Sequence, residues 1–208
     1  EKIAGIGIAV PGPVNEDGIV NKAVNLGWGV TPVKEIMEKL CGVPAQVGND
    51  ANVAALGEMW KGGGQGYTSL VLVTLGTGIG GGVIVDGRLV TGADGAGGEI
   101  GHMHVMDGEE ESCNCGCKGC LEQYGSATGI VRLAEKVLNR TQEPSVLRGT
   151  EVTAKAVFDA VKSGDKTAIT IAEEFGEILG KGFAMIASVL NPAAFVVGGG
   201  VSRAGEIL

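Results

Sequence analysis

The apolar residues of this chain fall into short continuous runs that alternate with longer amphipathic stretches. The run from Ile3 to Val10 is apolar throughout and stops at Pro11-Gly12-Pro13, which predicts a strand buried on both faces. Thr31-Pro32, followed by spaced apolar residues, predicts a helix that is capped at its start and has proline at its first position. Strands that alternate with helices indicate an α/β architecture.

The same patterns place the remaining elements. The predicted strands are 44–48, 69–75, 80–85, 88–91 and 194–197, and the predicted helices are 51–60, 126–138, 153–163 and 166–190. Asp86-Gly87 is typical of a tight hairpin turn, and the glycine run 198–200 is predicted to open another helix. The glycine-rich segment 61–66 is the best linker candidate, so we predict one lobe at 1–65 and a second at 66–208.

Composition narrows the function classes. The chain has 208 residues, of which 44% are hydrophobic, enough for one large domain or two small ones. A net charge of −8 argues against nucleic acid as a partner, because binding to phosphate backbones needs a basic face. No apolar run reaches the roughly 20 residues that a membrane helix needs. We therefore expect neither a nucleic acid nor a membrane as partner.

Glycine is the compositional outlier, with 38 of 208 residues, and two of its runs resemble nucleotide-binding turns. Successive N–H groups in a glycine turn form a concavity that binds phosphate oxygens, and threonine hydroxyls add donors. A second, side-chain-free turn would suit a purine ring or a ribose. Each turn alone also has a purely conformational explanation, but the pair favours a nucleotide. The candidate nucleotide-binding residues are Thr74, Gly76, Thr77, Gly78, Gly198, Gly199 and Gly200.

Four cysteines lie between residues 97 and 122, together with His102, Glu99 and Glu122. Zinc holds thiolate and imidazole ligands in a closed tetrahedron, often as a tight knuckle with one more distant partner. Glycines at 116 and 119 would let the backbone turn between the thiolates. The predicted ligands of a zinc ion are His102, Cys113, Cys115 and Cys120.

Other assignments of these side chains stay open at this point. A four-cysteine site without His102 is possible, and His104 is a second candidate imidazole. Cys117 is expected to be a spare thiol, and Cys41, in an apolar setting, a small core residue. Disulfides are disfavoured because the cysteine total of five is odd, and free thiols favour a reducing, cytoplasmic compartment.

Asp50 is the best candidate for a catalytic base. A carboxylate between a strand and a helix is most simply a helix N-cap, but the adjacent Asn49 favours a binding arrangement at the end of a strand. Together with Glu99, His102 and Glu122, these side chains would offer the carboxylate and amide groups that read sugar hydroxyls. The acidic run 109–111 is expected to be solvated charge.

On these motifs the sequence resembles the bacterial glucokinases of the ROK (repressor/open-reading-frame/kinase) family, essentially from end to end. The matching segments are Pro11-Gly12-Pro13, Asn25-Leu26-Gly27-Trp28, Gly48-Asn49-Asp50-Ala51-Asn52, Thr74-Leu75-Gly76-Thr77-Gly78-Ile79-Gly80, Gly98-Glu99-Ile100-Gly101-His102, the cysteine segment 113–122 and Gly198-Gly199-Gly200-Val201-Ser202. The cysteine segment with its flanking glutamates is the most specific of them.

The resemblance implies an actin-like, two-lobed ATPase fold of the ribonuclease H type, here truncated at both ends. It further implies ATP with magnesium, a structural zinc ion, a glucose bound in the cleft and a homodimer. Asp50 would take the proton from the 6-hydroxyl, while Asn49, Glu99, His102 and Glu122 would hold other hydroxyls. A placed base supplies roughly 10²–10⁴-fold in rate, and phosphoryl transfer otherwise depends on positioning and charge neutralisation.

One family motif, the first phosphate loop Asp-x-Gly-Gly-Thr, does not occur in these residues. We therefore expect the 208-residue chain by itself to phosphorylate sugar poorly or not at all. Two alternatives remain: a sugar-responsive repressor whose DNA-binding domain is not in this chain, or a kinase for fructose, mannose or an N-acetylhexosamine.

Overall fold

The computed structural model describes residues 3–23, 26–205 and 207–208, so Asn25 of the 25–28 motif lies outside the described residues. Its helices are α1 (Val33–Cys41), α2 (Asp50–Lys61), α3 (Glu122–Gly125), α4 (Ala127–Arg140), α5 (Ala154–Lys162) and α6 (Lys166–Leu190). Its strands are β1 (Ile6–Val10), β2 (Ala45–Asn49), β3 (Leu70–Leu75), β4 (Ile79–Val85), β5 (Arg88–Leu89) and β6 (Ala194–Gly198). The predicted α/β architecture is confirmed.

The strands form two sheets. β1 and β2 pair in parallel, with Val10 opposite Asn49, and the other four strands follow the order β5-β4-β3-β6. β4 and β5 are antiparallel, and the turn between them holds Asp86 and Gly87 at φ values of 49° and 74°. Two successive positive φ values match the twist of a hairpin, which confirms the turn predicted there.

The chain divides into two compact units. The first unit comprises Glu1–Leu72, Gly81–Glu99 and Ala193–Val196, and the second comprises Val73–Gly80, Ile100–Pro192 and Val197–Leu208. The predicted lobes 1–65 and 66–208 follow a different boundary and stay a prediction. The glycine segment after α2 is a turn inside the first unit, where the Gly63 N–H donates to the Glu58 carboxylate at 2.8 Å.

The first unit has a core on each of its sheets. One cluster contains Val10, Val14, Val20, Ala23 and Val33, and the other contains Ala55, Leu70, Leu72 and Ile84. β3 is buried along almost its whole length, but on β1 only Val10 is buried, and Ile6 and Ile8 are half-buried. The prediction that β1 is buried on both faces is wrong for the described residues, because the small residues Gly7 and Ala9 lie exposed on its second face.

Helices α3 to α6 form the core of the second unit. The ring of Phe175 is fully buried on α6 and meets Phe158 of α5 edge to face, with 6.1 Å between the ring centroids. The Asp165 carboxylate caps the start of α6 by accepting the Ala168 N–H at 2.9 Å, and Asn191 ends the helix at a left-handed φ of 43°. These two caps confirm the predicted bounds 166–190. No helix in the described part of the chain is long and apolar enough to cross a membrane.

Several local expectations are wrong. α1 begins at Val33 with Pro32 at its cap, because the Thr31 hydroxyl donates to the Gly29 carbonyl at 3.0 Å instead of capping the helix. Cys41, the last residue of α1, is exposed and so is no core residue. β5 covers two residues instead of four, and the glycines 198–200 lead into a 3₁₀ turn, Val201–Ala204.

Candidate functional site

The four predicted metal ligands lie together in the second unit. One donor atom each of His102, Cys113, Cys115 and Cys120 can be chosen so that all four lie within 4.8 Å of one another. The Cys115 and Cys120 sulfurs are 3.6 Å apart, and the Cys113 sulfur lies 3.8 Å from Nδ1 of His102. A tetrahedral zinc ion with Zn–S bonds of about 2.3 Å separates its sulfurs by about 3.8 Å. The spacing of this donor set therefore fits such an ion.

The thiols of the cluster differ in their pKa values, and a hydrogen bond from the Cys117 backbone lowers the pKa of Cys115. Burial raises the pKa of Cys113, and burial together with hydrogen bonds to the neighbouring thiols raises the pKa of Cys120 to about 12. Lone thiolates are therefore disfavoured there, whereas a bound cation would stabilise them, because a coordinating thiol is deprotonated outright. Positive φ values of 89° at Gly116 and 73° at Gly119 provide the predicted backbone turns between the ligands.

Neither alternative ligand joins the cluster in the structure. Cys117 is exposed and outside the four-residue group, as expected of a spare thiol. His104 binds elsewhere, with Nδ1 2.9 Å from the Lys118 carbonyl and Nε2 2.9 Å from the Asp107 carboxylate. The hydrogen bond to Asp107 raises the pKa of His104.

Glu122 connects the cysteine segment to the first glycine turn, residues 76–79, where β3 passes into β4. Its Oε2 accepts the Ile79 N–H at 2.9 Å, and its Oε1 lies 3.8 Å from the Cys113 sulfur. A Cβ on Gly78 would lie 2.3 Å from Oε2 of Glu122, so a larger residue there would require this carboxylate to move. The glycine at 78 thus lets a predicted sugar-binding carboxylate approach the predicted phosphate turn.

The two predicted glycine turns meet at the end of β3. Gly199 has a φ of 91°, and a Cβ there would lie 2.5 Å from the Leu75 carbonyl oxygen, directly before the first turn. Thr74 donates its hydroxyl to the Gly80 carbonyl at 3.3 Å, so this hydroxyl already has an acceptor inside the protein. The two turns, which the sequence analysis grouped by their chemistry, therefore also lie next to each other within the second unit.

The N–H groups of the first turn divide into two kinds. The Gly76 N–H donates to the Gly78 carbonyl at 3.0 Å, and the Ile79 N–H is taken by Glu122. In the described part of the chain, the N–H groups of Thr77 and Gly78 have no protein acceptor. The concavity that the sequence predicts would therefore offer a phosphate two N–H donors instead of the whole turn.

Asn49 and Asp50 lie in the first unit at the junction of β2 and α2. Asn49 is the N-cap, since its side-chain oxygen accepts the Asn52 N–H at 3.1 Å, and its amide donates to the Gly12 carbonyl at 3.2 Å. Asp50 is exposed at the first helical position, and within the described residues its carboxylate accepts only the adjacent Ala51 N–H, at 2.9 Å. The capping role considered for Asp50 therefore belongs to Asn49, which leaves the carboxylate available for chemistry.

The remaining site residue, Glu99, ends the second segment of the first unit and is exposed. The structure thus places the predicted site residues in two groups. The first unit carries Asn49, Asp50 and Glu99, and the second carries the predicted metal ligands, Glu122 and both glycine turns.

A buried ion network secures the loop that precedes the cysteine segment. The Glu109 side chain is only 4% exposed and lies 2.6 Å from Arg132 and 3.2 Å from Lys136, both on α4. The Tyr124 hydroxyl donates to the same carboxylate, and the Arg132 guanidinium lies over the Tyr124 ring, 5.6 Å from its centroid. Of the acidic run 109–111, Glu109 is therefore not the solvated charge that the sequence predicts.

Replacing Glu109 with glutamine is expected to lower the free energy of unfolding by about 2–3 kcal/mol at pH 7, because Arg132 loses its buried partner. Burial alone would raise the pKa of Glu109, but hydrogen bonds from Tyr124, the Glu111 N–H, Arg132 and Lys136 together hold the pKa far below 4.5. The contribution of Glu109 to the free energy of unfolding should be present at pH values above the ordinary pKa of a glutamate and should fade as the pH falls below that value. Urea unfolding at pH 7 and at lower pH measures both effects.

The exposed neighbour Glu110 provides the matched control, and Glu110→Gln should change the free energy of unfolding by less than about 0.5 kcal/mol. Equal stabilities of the two variants at pH 7 would contradict the structural role of Glu109.

Sequence reasoning missed Thr128, which contacts the first glycine turn, and its hydrogen-bonded neighbour Ser126. Thr128 donates its hydroxyl to the Thr77 carbonyl at 2.8 Å, and Ser126 is hydrogen-bonded to Thr128 at 2.9 Å. The only sequence signal was the position of Ser126 at the predicted start of a helix, which indicates a cap and nothing about a turn about fifty residues earlier.

Comparison with known proteins assigns the family. The ROK family profile matches residues 1–208. A glucokinase from Halalkalibacterium halodurans is 43% identical over 99% of this chain, and a xylose repressor from Caldicellulosiruptor bescii is 32% identical over 99%. A crystal structure of a ROK family glucokinase from Streptomyces griseus, in complex with glucose and AMPPNP, superposes with a TM-score of 0.84 at 37% identity over 99% of this chain.

The chain spans 64% and 68% of the lengths of the two glucokinases and 52% of the repressor. The match over the whole chain and the superposition confirm both the resemblance and the fold. The chain belongs to the ROK family and has the actin-like ATPase fold of its sugar kinases.

Proposed function

We propose that this chain is part of an ATP-dependent hexose kinase that phosphorylates the 6-hydroxyl of glucose. The observation that carries the proposal is the hydrogen bond between Glu122 and the first glycine turn. It brings a carboxylate proposed to bind sugar hydroxyls next to a turn proposed to bind phosphate. The similarity to two glucokinases over 99% of the chain supports the same reaction and the choice of glucose.

In the proposed reaction, Asp50 takes the proton of the 6-hydroxyl while that oxygen attacks the γ-phosphorus of ATP. The new O–P bond forms as the bond to the β-phosphate oxygen breaks, and ADP leaves with that electron pair. Asp50 is exposed and its carboxylate accepts one hydrogen bond within the described residues, while Asn49 caps the helix. Such a carboxylate suits a base that must reach a substrate proton. Asn49, Glu99, His102 and Glu122 are proposed to hold the other hydroxyls.

The first glycine turn is proposed to bind the phosphates through the N–H groups of Thr77 and Gly78, which have no acceptor in the described chain. The second turn, Gly198 to Gly200, would face the nucleoside. Magnesium would accompany the ATP phosphates and neutralise their charge.

The metal cluster is proposed to hold a structural zinc ion through His102, Cys113, Cys115 and Cys120. Zinc would supply no chemistry to the transferred phosphoryl group and would fix the segment that carries Glu122, two residues after the last ligand. A cytoplasmic location and a homodimer stay predictions.

A second candidate function is a sugar-responsive transcriptional repressor, which the similarity to a xylose repressor favours. Against it, a pure sensor would have no need of a free carboxylate at Asp50 or of phosphate donors in the first turn.

ADP release by the full-length gene product, measured in a coupled assay with glucose, fructose, mannose and N-acetylglucosamine, tests the proposal. Glucose should give the highest kcat/KM. A higher value with another of these sugars would retain the kinase and change its substrate. Binding of a sugar without any ADP release would favour the repressor.

A further inference from the structure

A chain of hydroxyl groups runs from the start of α4 to the first glycine turn. The Gly129 N–H donates to the Ser126 hydroxyl at 3.0 Å, and the Ser126 and Thr128 hydroxyls are 2.9 Å apart. Thr128 in turn donates to the Thr77 carbonyl at 2.8 Å. Because the only proton of the Thr128 hydroxyl is donated to the Thr77 carbonyl, Ser126 is the donor in its bond to Thr128.

A second bond ties the preceding peptide of the turn to the same helix end. The Ala127 N–H donates to the Gly76 carbonyl at 2.8 Å. The carbonyls of Gly76 and Thr77 are thus both held by consecutive residues at the start of α4, while Glu122 holds the Ile79 N–H. These contacts all lie within the second unit.

These bonds fix the directions of two N–H groups. In a planar trans peptide, the C=O of one residue and the N–H of the next point in opposite directions. Holding the Gly76 carbonyl therefore orients the Thr77 N–H, and holding the Thr77 carbonyl orients the Gly78 N–H. These are the two donors of the turn that have no protein acceptor in the described chain.

Capping of α4 does not explain Thr128. Ser126 is the N-cap, and its bond to the Gly129 N–H is complete without a second hydroxyl. Thr128 is exposed, yet its hydroxyl bonds to a carbonyl 51 residues away along the chain, in a turn outside its own helix. A threonine gains nothing for helix stability at this position, since its intrinsic propensity is low.

We infer that Thr128 is a positioning residue for the nucleotide: by holding the Thr77 carbonyl, it aims the Gly78 N–H at a phosphate oxygen of ATP. The inference rests on the proposed function, because it takes the first turn as the phosphate site. The inference adds a residue outside the turn to the proposed nucleotide site. It also explains why Ser126 and Thr128, in the segment after the cysteines, carry neighbouring hydroxyls.

Thr128→Val removes the hydroxyl and keeps the shape, and Thr128→Ser keeps the hydroxyl. In the full-length gene product, Thr128→Val should raise both the KM for ATP and the Kd for Mg-AMPPNP by about 3- to 10-fold, as expected for one lost hydrogen bond. Thr128→Ser should stay within about twofold of the parent protein. The KM for glucose and the zinc content per chain should not change in either variant.

Thr170→Val is the matched control, because the Thr170 hydroxyl donates at 3.2 Å to the Lys166 carbonyl within its own helix, α6. It should leave nucleotide binding unchanged. Thr128→Ala provides a second variant without the hydroxyl, to be used alongside thermal melting if Thr128→Val folds poorly.

The failures are distinguishable. A Kd for Mg-AMPPNP that is the same in Thr128→Val, Thr170→Val and the parent overturns the inference and leaves the proposed kinase intact. Equal weakening of glucose and nucleotide binding by Thr128→Val also overturns it, because that points to general loosening. A parent protein that binds no Mg-AMPPNP overturns the proposed function, and the inference with it.

Discussion

Replacing Asp50 with asparagine is expected to lower kcat for glucose phosphorylation by about 10²- to 10⁴-fold in the full-length gene product. Asparagine cannot take the proton of the attacking hydroxyl. Its amide oxygen can still accept the Ala51 N–H that Asp50 accepts at 2.9 Å, and the helix retains Asn49 as its cap. Folding and the Kd for glucose should therefore change little, which separates a catalytic role from a structural one.

Asp86→Asn is a matched control for this substitution. Asp86 is exposed at a left-handed φ of 49°, a conformation that asparagine tolerates well, so kcat should stay within about twofold. If Asp50→Asn retained more than about a tenth of the parent kcat, Asp50 would not be the base.

The second large effect is expected at the metal ligands. Cys120→Ser should reduce the zinc content from the proposed one ion per chain to a small fraction, because serine is a poor replacement for a thiolate ligand. The melting temperature should fall by about 10 °C, since metal binding contributes folding free energy directly. kcat should fall as well, because the proposed zinc ion would no longer hold Cys120 in place, two residues before Glu122.

Cys117→Ser provides the internal comparison, since Cys117 lies in the same segment but outside the four-residue cluster. It should retain one zinc ion per chain, the parent melting temperature and the parent kcat. Metal analysis after dialysis, with differential scanning calorimetry, measures both variants. Loss of zinc from Cys117→Ser but not from Cys120→Ser would contradict the proposed ligand set and would make Cys117 a ligand in place of Cys120.

Local signals allowed much of this fold to be predicted. α6 begins and ends where the sequence places it, because Asp165 and Asn191 cap it through contacts within one helical turn. The four proposed metal ligands cluster as predicted because three of them lie within eight residues, around two glycines with positive φ. Such features depend on short stretches of chain, so a single sequence displays them.

The features that the sequence did not display depend on distant partners. Glu109 is buried because Arg132 and Lys136 reach it from α4, and nothing in the acidic run itself indicates that. Thr128 touches the glycine turn only because the fold brings α4 to the end of β3. Asn49 and Asp50 were both able to cap α2, and the structure shows that the Asn49 side chain accepts the helix N–H.

Identification of the products of ATP and glucose by the full-length gene product tests the proposed function most directly. Glucose 6-phosphate and ADP in a 1:1 ratio, detected by phosphorus NMR and lost in Asp50→Asn, is the predicted result. No sugar phosphate from an otherwise folded, zinc-containing protein, or phosphate on a hydroxyl other than the 6-hydroxyl, would contradict it.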